Sequence, residues 1–336
     1  MIFPQEFFNE EIRDGFTVPE MMKRAWAAEL EVLDVIRNLC IDNGLIYFAY
    51  CGSLLGAIRH HGFIPWDDDI DIAMLRSDYD RFMQIADEEL PEGFVISGIY
   101  GSEPRLWKAN GEPQGRVIAD ETVFTLPRYM NYFHAFPYMR IGVDIFPLDN
   151  VPSDPDRQYD LIQGVNELQT AGRYLDVYRK DGTLNSRIKP YKYLLDDITY
   201  DINNDEEYAH AIWLASDRLA ASCCGEGDSV SDILYLRTPS DRRGFNGFNS
   251  MKAEWFSEGT EKEFECTTIN VPVQYDDVLK WEFGDDYMTP VRFAADHTYP
   301  FYATQEKAFV ELLHESGVDT PVDEFCRNWH KLNGLS

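Results

Sequence analysis

The stretch GFIPWDDDIDIAM, residues 62–74, places four aspartates within five positions and surrounds them with large apolar side chains. Unpaired charges in apolar surroundings are costly, or else they take up protons. A bound cation offsets that cost most directly, so this stretch predicts a metal site. The alternation in DIDIAM predicts a strand on which Asp69 and Asp71 face one side while Ile70 and Ile72 face the other.

A Gly-Ser turn lies shortly upstream of the aspartates. The segment LIYFAYC, residues 45–51, is short and rich in β-forming residues, which predicts a buried strand. Gly52 permits a close turn, Ser53 is a favourable N-cap, and LLGAIR begins a helix. The free backbone N–H groups at the start of such a helix suit a phosphate group.

A third isolated carboxylate stands at Asp144, between Val143 and Ile145 of the strand-like segment RIGVDIFPL. Mg²⁺ is typically held by one or two carboxylates together with the phosphates of a substrate. The Gly-Ser turn, the Asp69/Asp71 pair and Asp144 together therefore predict a site that binds a phosphorylated substrate through a divalent metal.

The aspartates have two alternative interpretations. In an EF-hand loop, Asp67, Asp69 and Asp71 would occupy the first, third and fifth positions, but Ile72 replaces the required glycine and Asp78 the required glutamate. Alternatively, the aspartates form an acidic turn exposed to solvent, because runs of charged residues usually face solvent. The Gly-Ser turn and Asp144 favour the metal site over the solvated turn.

The bulk composition restricts the partners. The 336 residues are 44% hydrophobic and carry a formal net charge of −29, which argues against a nucleic-acid partner and against a polybasic membrane-binding surface. We expect no signal peptide and no transmembrane segment. The six cysteines are scattered without a CxxC pair, which favours reduced thiols and a cytoplasmic location.

The order of these motifs resembles the nucleotidyltransferase fold of the DNA polymerase β superfamily. More narrowly, CGSLLGAIRHHGFIPWDDDIDIAMLRSDYDRF and VDIFPLDNVP resemble the LicD family, the phosphocholine transferases that include fukutin-like relatives. FECTTINVPVQYDDVLKWEFGDDYMTP resembles the C-terminal block of that family, although EFG stands where the family more often has Tyr-Gly. The resemblance is strong over residues 20–150, moderate over 262–300 and slight over 155–250.

The expected fold class is α+β. Residues 1–152 would form a nucleotidyltransferase-like catalytic core, a mixed β-sheet flanked by helices. Residues 153–336 would form a largely helical and irregular extension that completes the core and shapes the acceptor site. Within these parts, the spacing of apolar residues predicts an amphipathic helix over 19–42 and mostly helical structure over 155–222.

LicD-like enzymes transfer phosphocholine from CDP-choline to a sugar hydroxyl of a cell-surface glycan precursor, such as that of lipopolysaccharide or teichoic acid, and release CMP. The resemblance implies that Asp69 and Asp71 bind Mg²⁺ or Mn²⁺. Asp144 would complete the metal site and help to deprotonate the acceptor hydroxyl, and Gly52 and Ser53 would hold the donor diphosphate.

Further candidates surround this set. Arg59 is either a phosphate contact or a surface arginine, and Asp67 and His297 are accessory candidates, whereas Asp68 is left outside the site. Arg116 is either a contact to the nucleotide phosphates or an ordinary surface charge. The faces of aromatic rings bind quaternary ammonium groups. The aromatic candidates for contacting choline or the base are Trp66, Tyr132 and Tyr138.

Two alternative functions remain open at this point. One is a nucleotidyltransferase that attaches NMP from an NTP to a sugar or alcohol, which would release pyrophosphate. The other is a non-catalytic module that binds a nucleotide or glycan, and the presence of all three strand aspartates disfavours it. If the donor is CDP-linked, the sequence does not decide whether its alcohol is choline, ethanolamine, ribitol or glycerol.

Overall fold

A mixed β-sheet lies at the centre of the protein. The computed structural model describes residues 1–108, 115–236, 242–292 and 298–335. The strands are β1 (Glu11–Arg13), β2 (Phe16–Val18), β3 (Phe48–Ala49), β4 (Asp71–Leu75), β5 (Phe94–Gly98), β6 (Gly115–Ala119), β7 (Gly142–Asn150), β8 (Ser229–Ser231), β9 (Met251–Lys252), β10 (Gly259–Phe264) and β11 (Thr267–Pro272).

Helices flank this sheet and fill the second half of the chain. The α-helices are α1 (Glu20–Asn43), α2 (Cys51–Arg59), α3 (Arg76–Glu89), α4 (Pro104–Lys108), α5 (Leu126–Tyr132), α6 (Pro155–Arg173), α7 (Leu175–Lys180), α8 (Leu184–Ile188), α9 (Asp205–Ala220), α10 (Tyr275–Phe283), α11 (Ala303–Glu315) and α12 (Val322–Asn333). Short 3₁₀ turns connect several of them.

The central sheet has the strand order β3-β4-β7-β6-β5, with β8 paired to the C-terminal end of β7 and β9 paired to β8. Strands β4 and β7 run parallel, and the other pairs in the sheet are antiparallel. The pairs β1-β2 and β10-β11 form separate antiparallel hairpins. The predicted α+β class, with a mixed sheet flanked by helices, is confirmed.

Helix α1 confirms the amphipathic helix that the apolar spacing predicted. Its side chains Trp26, Leu30 and Leu33 are almost fully buried, and the helix packs against β6 and β7. Gly44 ends it in the left-handed conformation, with φ of 63°, where a residue without Cβ has no steric penalty. The periodicity predicted the helix, and the structure shows that it packs against the sheet.

Local details differ from the prediction at the Gly-Ser turn. The strand in LIYFAYC is only Phe48–Ala49, and helix α2 begins at Cys51, so the predicted N-cap role of Ser53 is wrong. Ser53 instead lies inside the first turn, where its hydroxyl oxygen accepts a hydrogen bond from the Asp71 backbone N–H at 2.9 Å. This bond ties α2 to the start of β4.

Buried apolar side chains form two clusters. One surrounds the sheet and includes residues from α1 to α3, from the β10-β11 hairpin and from α10 to α12. The other lies among α6, α8 and α9. The C-terminal helices thus pack onto the sheet, while the middle of the chain builds its own helical core. The boundary near residue 152 stays a prediction.

A buried ion-pair network joins these two regions. Arg76 of α3 donates two hydrogen bonds to Asp149 of β7, at 2.6 and 2.9 Å, and one to Asp217 of α9 at 3.0 Å. All three residues are nearly inaccessible to solvent. Buried charges of this kind persist only when they are paired.

None of the helices in the described ranges combines the length and the apolar composition that crossing a membrane requires.

Candidate active site

Four polar residues form a row across neighbouring strands. Asp71 on β4 is the register partner of Asp144 on β7, and Arg116 on β6 is also opposite Asp144. Ser97 on β5 is opposite Arg116. Residues directly opposite one another in a sheet point to the same face. The four side chains, here called the polar row, therefore share one face of the sheet.

Further aspartates gather at the Asp71 end of the polar row. Asp67, Asp68 and Asp69, in the loop that leads into β4, bring one carboxylate oxygen each within 4.8 Å of one another. Burial and the nearby charges of Asp69 and Asp144 raise the pKa of Asp71 well above its ordinary value. We call Asp67, Asp68, Asp69, Asp71 and Asp144 the aspartate cluster.

Glu29 of α1 lies against the same cluster, and the sequence analysis missed it. Its side chain is buried, and its Oε2 atom has no hydrogen-bond partner within the described residues. Burial, followed by the charges of Asp69 and Asp68, raises the pKa of Glu29 well above its ordinary value. The available signal was its position on the apolar stripe of α1, three residues after Trp26.

The negative charge of this region is not balanced by protein cations in the described part of the chain. Arg116 faces Asp144, Glu29, Asp69 and Asp71, with 3.4 Å between its Nε and Asp144 Oδ1. One guanidinium does not neutralise so many carboxyl groups. Hard divalent cations prefer oxygen ligands, and the unpartnered Glu29 oxygen adds another ligand atom. These residues therefore fit Mg²⁺ or Mn²⁺.

Gly52 approaches the aspartate cluster from the first turn of α2. A Cβ atom at this position would lie 2.5 Å from Asp67 Oδ2, which is too close for a real contact. A side chain at this position would require the Asp67 carboxylate to move away. The first N–H groups of a helix lack intrahelical partners, and at Gly52 and Ser53 they lie next to the cluster.

A large cavity of about 590 Å³ opens beside Gly52 and Asp67. Two further sequence candidates, Arg59 and Trp66, line it. Arg59 is partly engaged, since it donates a hydrogen bond from Nη1 to the Tyr287 carbonyl oxygen at 2.8 Å. The structure thus brings together the Gly-Ser turn, one aspartate, one arginine and one tryptophan around a single space.

Glu282 of α10 lines the same cavity, and it too was missed from the sequence. The Cys51 thiol is hydrogen bonded to its carboxylate, but Oε2 is shielded from solvent and has no hydrogen-bond partner in the described ranges. Burial raises the pKa of Glu282 to about 7. A carboxylate in a cavity wall with an oxygen that lacks a hydrogen-bond partner is suited to a cationic ligand.

Two further residues of the sequence analysis remain, Asp68, which was left outside the site, and the accessory candidate His297. Asp68 is fully buried, and its Oδ2 accepts a hydrogen bond from the Phe301 backbone N–H at 2.6 Å. It therefore anchors the loop before α11 as well as contributing to the aspartate cluster. His297 lies outside the described residues, so its accessory role stays a prediction.

The two tyrosines predicted to contact choline lie away from the walls of the large cavity. Tyr132 is 41% exposed on α5 and packs against Phe94. Tyr138 is 1% exposed and stacks on Tyr302, with 5.0 Å between the ring centroids. Their role in choline binding stays a prediction, and this placement favours Trp66 over both.

Comparison with known proteins agrees with the motifs. Residues 44–120 match a family described as LicD/FKTN/FKRP, nucleotidyltransferase domain. That segment holds the Gly-Ser turn and the aspartates before β4, while Asp144 lies beyond it and reaches the cluster through the register of β7.

The chain is also similar to a lipopolysaccharide cholinephosphotransferase LicD of Haemophilus influenzae, with 34% identity over 134 residues. This alignment covers 40% of the chain and 46% of the relative, so the chain spans less than half of that protein. An uncharacterized protein of Rickettsia typhi is 41% identical over 59 residues, 18% of this chain and 19% of that protein. Residues 44–120 are therefore similar to the nucleotidyltransferase domain of the LicD/FKTN/FKRP family.

Proposed function

We propose that this protein is a metal-dependent transferase that moves phosphocholine from CDP-choline to a sugar hydroxyl of a cell-surface glycan precursor and releases CMP. The observation that carries the proposal is the register pairing of Asp71 with Asp144 on one face of the sheet. Asp67 of the same aspartate cluster lines the large cavity. The name of the Haemophilus influenzae relative supports choline phosphate as the group transferred and a lipopolysaccharide glycan as the acceptor class.

The metal ligands in this proposal come from the aspartate cluster. Asp69, Asp71 and Asp144 would hold Mg²⁺ or Mn²⁺, with Asp67 as a further ligand from the cavity wall. When bound, such an ion neutralises the phosphate charge and lowers the pKa of a coordinated hydroxyl. Phosphoryl transfer depends mainly on this positioning and charge neutralisation, which carboxylates on β4, on β7 and in the loop before β4 would supply.

The remaining roles fall to side chains and backbone groups around the cavity. The N–H groups of Gly52 and Ser53 bind the donor diphosphate at the start of α2, with the Arg59 guanidinium alongside. The Asp144 carboxylate accepts the proton of the acceptor hydroxyl. The acceptor oxygen then forms a new bond to the phosphorus of phosphocholine, and the bond from that phosphorus to the CMP oxygen breaks.

Choline would lie in the part of the large cavity formed by Trp66, Glu282 and Tyr287. An aromatic face attracts a quaternary ammonium, and the unpartnered Glu282 oxygen adds a negative charge that does not require a hydrogen bond. Ribitol and glycerol carry no positive charge that could offset the negative charge of the Glu282 carboxylate. This lining therefore favours a choline or ethanolamine donor over an uncharged one. The cytoplasmic location expected from the cysteines stays a prediction.

The test is to incubate the purified protein with Mg²⁺ or Mn²⁺, a glycan-precursor extract and one CDP-alcohol at a time, and to measure CMP release. We expect the highest rate with CDP-choline, and its loss on addition of EDTA. The Asp71→Asn variant should lose this activity, whereas Asp87→Asn, which changes an exposed aspartate of α3, should retain it.

Two results would contradict the proposal. Release of pyrophosphate from an NTP, without CMP release from any CDP-alcohol, would identify a nucleotidyltransferase. Binding of CDP-choline in calorimetry with no turnover under any metal condition would instead identify a binding module.

A further inference from the structure

A second cavity, of about 220 Å³, lies at the Ser97 end of the polar row, on the other side of Asp144 from the large cavity. Three arginines line it together with Ser97, and an exposed glutamate, Glu121, lines it as well. We call this cavity the arginine pocket. Its arginines are Arg105, Arg116 and Arg140.

Such a concentration of positive charge is unexpected in this chain, which has 30 basic and 59 acidic residues. Arg105 is paired with Asp120 at 3.0 Å and with Glu103 at 2.9 Å. Among the described residues, the Nε atom of Arg116 makes no hydrogen bond, although it lies 3.4 Å from Asp144 Oδ1 in an ion pair. Within the described ranges, the exposed Arg140 side chain has neither a hydrogen bond nor an ion pair. Two guanidinium groups therefore keep donors available to a ligand.

Ser97 provides an independent sign that a ligand completes the pocket. Its side chain is 1% exposed, and its hydroxyl oxygen has no hydrogen-bond partner among the residues that the structure describes. A buried hydroxyl without a partner is unfavourable. An oxyanion in the pocket would accept a hydrogen bond from this hydroxyl and charge-assisted bonds from the guanidinium groups.

The geometry of the polar row relates this pocket to the reaction. Adjacent strands lie about 4.8 Å apart, so Ser97 and Asp71 are separated by about 14 Å across four strands. Asp144 lies between the arginine pocket and the aspartate cluster. A sugar with an anionic substituent in the pocket would therefore extend towards Asp144, where the proposed chemistry requires the acceptor hydroxyl.

We propose that the arginine pocket binds an anionic substituent, a phosphate or a carboxylate, on the acceptor sugar. The identification of the ligand as the acceptor rests on the proposed transferase function, whereas anion binding by the pocket does not. The pocket thereby selects an acceptor that is already charged, so a reaction that phosphorylates or oxidises the sugar must precede this one.

Anion binding is tested by calorimetric titration with inorganic phosphate, with glucuronate and with neutral galactose. We expect one of the two anions to bind and galactose not to bind. Arg140→Ala and Ser97→Ala should each weaken that binding, Arg140→Ala by about 10-fold or more because it removes a charged donor. Arg81→Ala, which changes an exposed arginine of α3, is the matched control and should bind like the wild type.

The readouts separate this proposal from the transferase proposal. Loss of phosphate binding in Arg140→Ala assigns a phosphate subsite, and loss of glucuronate binding assigns a carboxylate subsite. Equal binding of both anions by Arg140→Ala, Ser97→Ala and wild type, or no anion binding at all, overturns the subsite. Absence of CMP release from CDP-choline in the wild type would overturn the transferase function and leave the anion titration interpretable.

The Ser97→Ala variant also distinguishes ligand binding by Ser97 from a purely structural role. If the hydroxyl serves the ligand, its removal should leave the unfolding temperature of the protein unchanged or raised, because a buried unpaired group is lost. If Ser97→Ala unfolds more easily and binds the anion normally, the serine is structural and the proposal is wrong in assigning it to the pocket.

Discussion

Asp71 and Asp144 are register partners on two parallel strands, β4 and β7, that are distant in sequence. Side chains alternate between the two faces of a strand, so a slip of one residue in this pairing would move Asp144 to the opposite face. The Ile70 carbonyl oxygen also accepts a hydrogen bond from the Asp144 N–H at 3.3 Å, at the start of the ladder. The sheet register therefore fixes the distance between the two carboxylates.

This pairing predicts a shared catalytic effect. We expect Asp71→Asn and Asp144→Asn each to lower metal-dependent CMP release by about 100-fold or more, since each removes charge from the proposed metal site. The double variant should be little worse than either single one, because groups that act together are not additive. Steady-state rates with CDP-choline measure this effect, and additive losses would show that the two residues act separately.

Glu29→Gln separates metal binding from folding. The buried Glu29 carboxyl lies beneath the aspartate cluster with an unpartnered oxygen. A neutral amide there should raise the concentration of Mn²⁺ needed for half-maximal activity by about 10-fold. In EDTA the variant should unfold at the same or a higher temperature, since it no longer buries an ionisable group. A lower unfolding temperature in EDTA would indicate a structural role for Glu29.

The Arg76 network predicts a large effect on stability. Arg76→Met leaves the buried carboxyls of Asp149 and Asp217 without their cation. Removing one partner of a buried ion pair costs about 3–5 kcal/mol of the free energy of unfolding. Urea denaturation measures this loss, with Arg81→Ala on the exposed side of the same helix as the control. A loss below about 1 kcal/mol would mean that the network relaxes without Arg76.

The sequence predicted the parts of the site that depend on local pattern. Alternation placed Ile70 and Ile72 in the core, and periodicity gave the bounds of α1 within one residue. The proximity of Asp144 to Asp71 was expected from the chemistry that the residue types share and from the family resemblance, because no local pattern specifies which strands are neighbours.

Tertiary packing accounts for what the sequence analysis missed. Glu29 and Glu282 belong to helices whose charged faces usually point to solvent, so their burial depends on elements that are distant in the chain. Ser53 has the residue type of an N-cap, yet it lies inside the first turn of α2, where its hydroxyl oxygen accepts a hydrogen bond from the Asp71 N–H. Arg116 could not be separated from a surface charge until the register of β6 placed it opposite Asp144.

Metal-free protein should become less stable as the pH rises. Burial and neighbouring charges raise the pKa values of Asp67, Asp71 and Glu29, so the folded state binds more protons than the unfolded state above the ordinary carboxyl range. The free energy of unfolding then falls with increasing pH until the raised pKa values are passed. Unfolding temperatures in EDTA from pH 4 upwards measure this trend.

Divalent metal should reverse that trend. Metal ligands must be deprotonated, so Mg²⁺ or Mn²⁺ binds more tightly as the pH rises and releases protons. The increase in unfolding temperature on adding Mn²⁺ should therefore grow with pH, and it should be smaller in Asp71→Asn. An increase that is independent of pH would indicate binding at exposed carboxylates away from the aspartate cluster.

Glu282 predicts a pH-dependent preference for a cationic donor. Burial raises the pKa of its carboxyl to about 7, so the group is largely protonated below that pH and charged above it. A quaternary ammonium interacts favourably with the charged form. The KM for CDP-choline should therefore fall as the pH rises through 7, while the KM for CDP-glycerol, which carries no cation, should change little.

Glu282→Gln is the decisive variant for this preference. It keeps the size and shape of the side chain but removes the charge, so it should raise the KM for CDP-choline by about 10-fold and leave the KM for CDP-glycerol nearly unchanged. The pH dependence of the CDP-choline KM should disappear as well. An equal change in the KM for both donors would show that Glu282 supports the folding of the cavity wall, because only a contact with the ammonium distinguishes the two substrates.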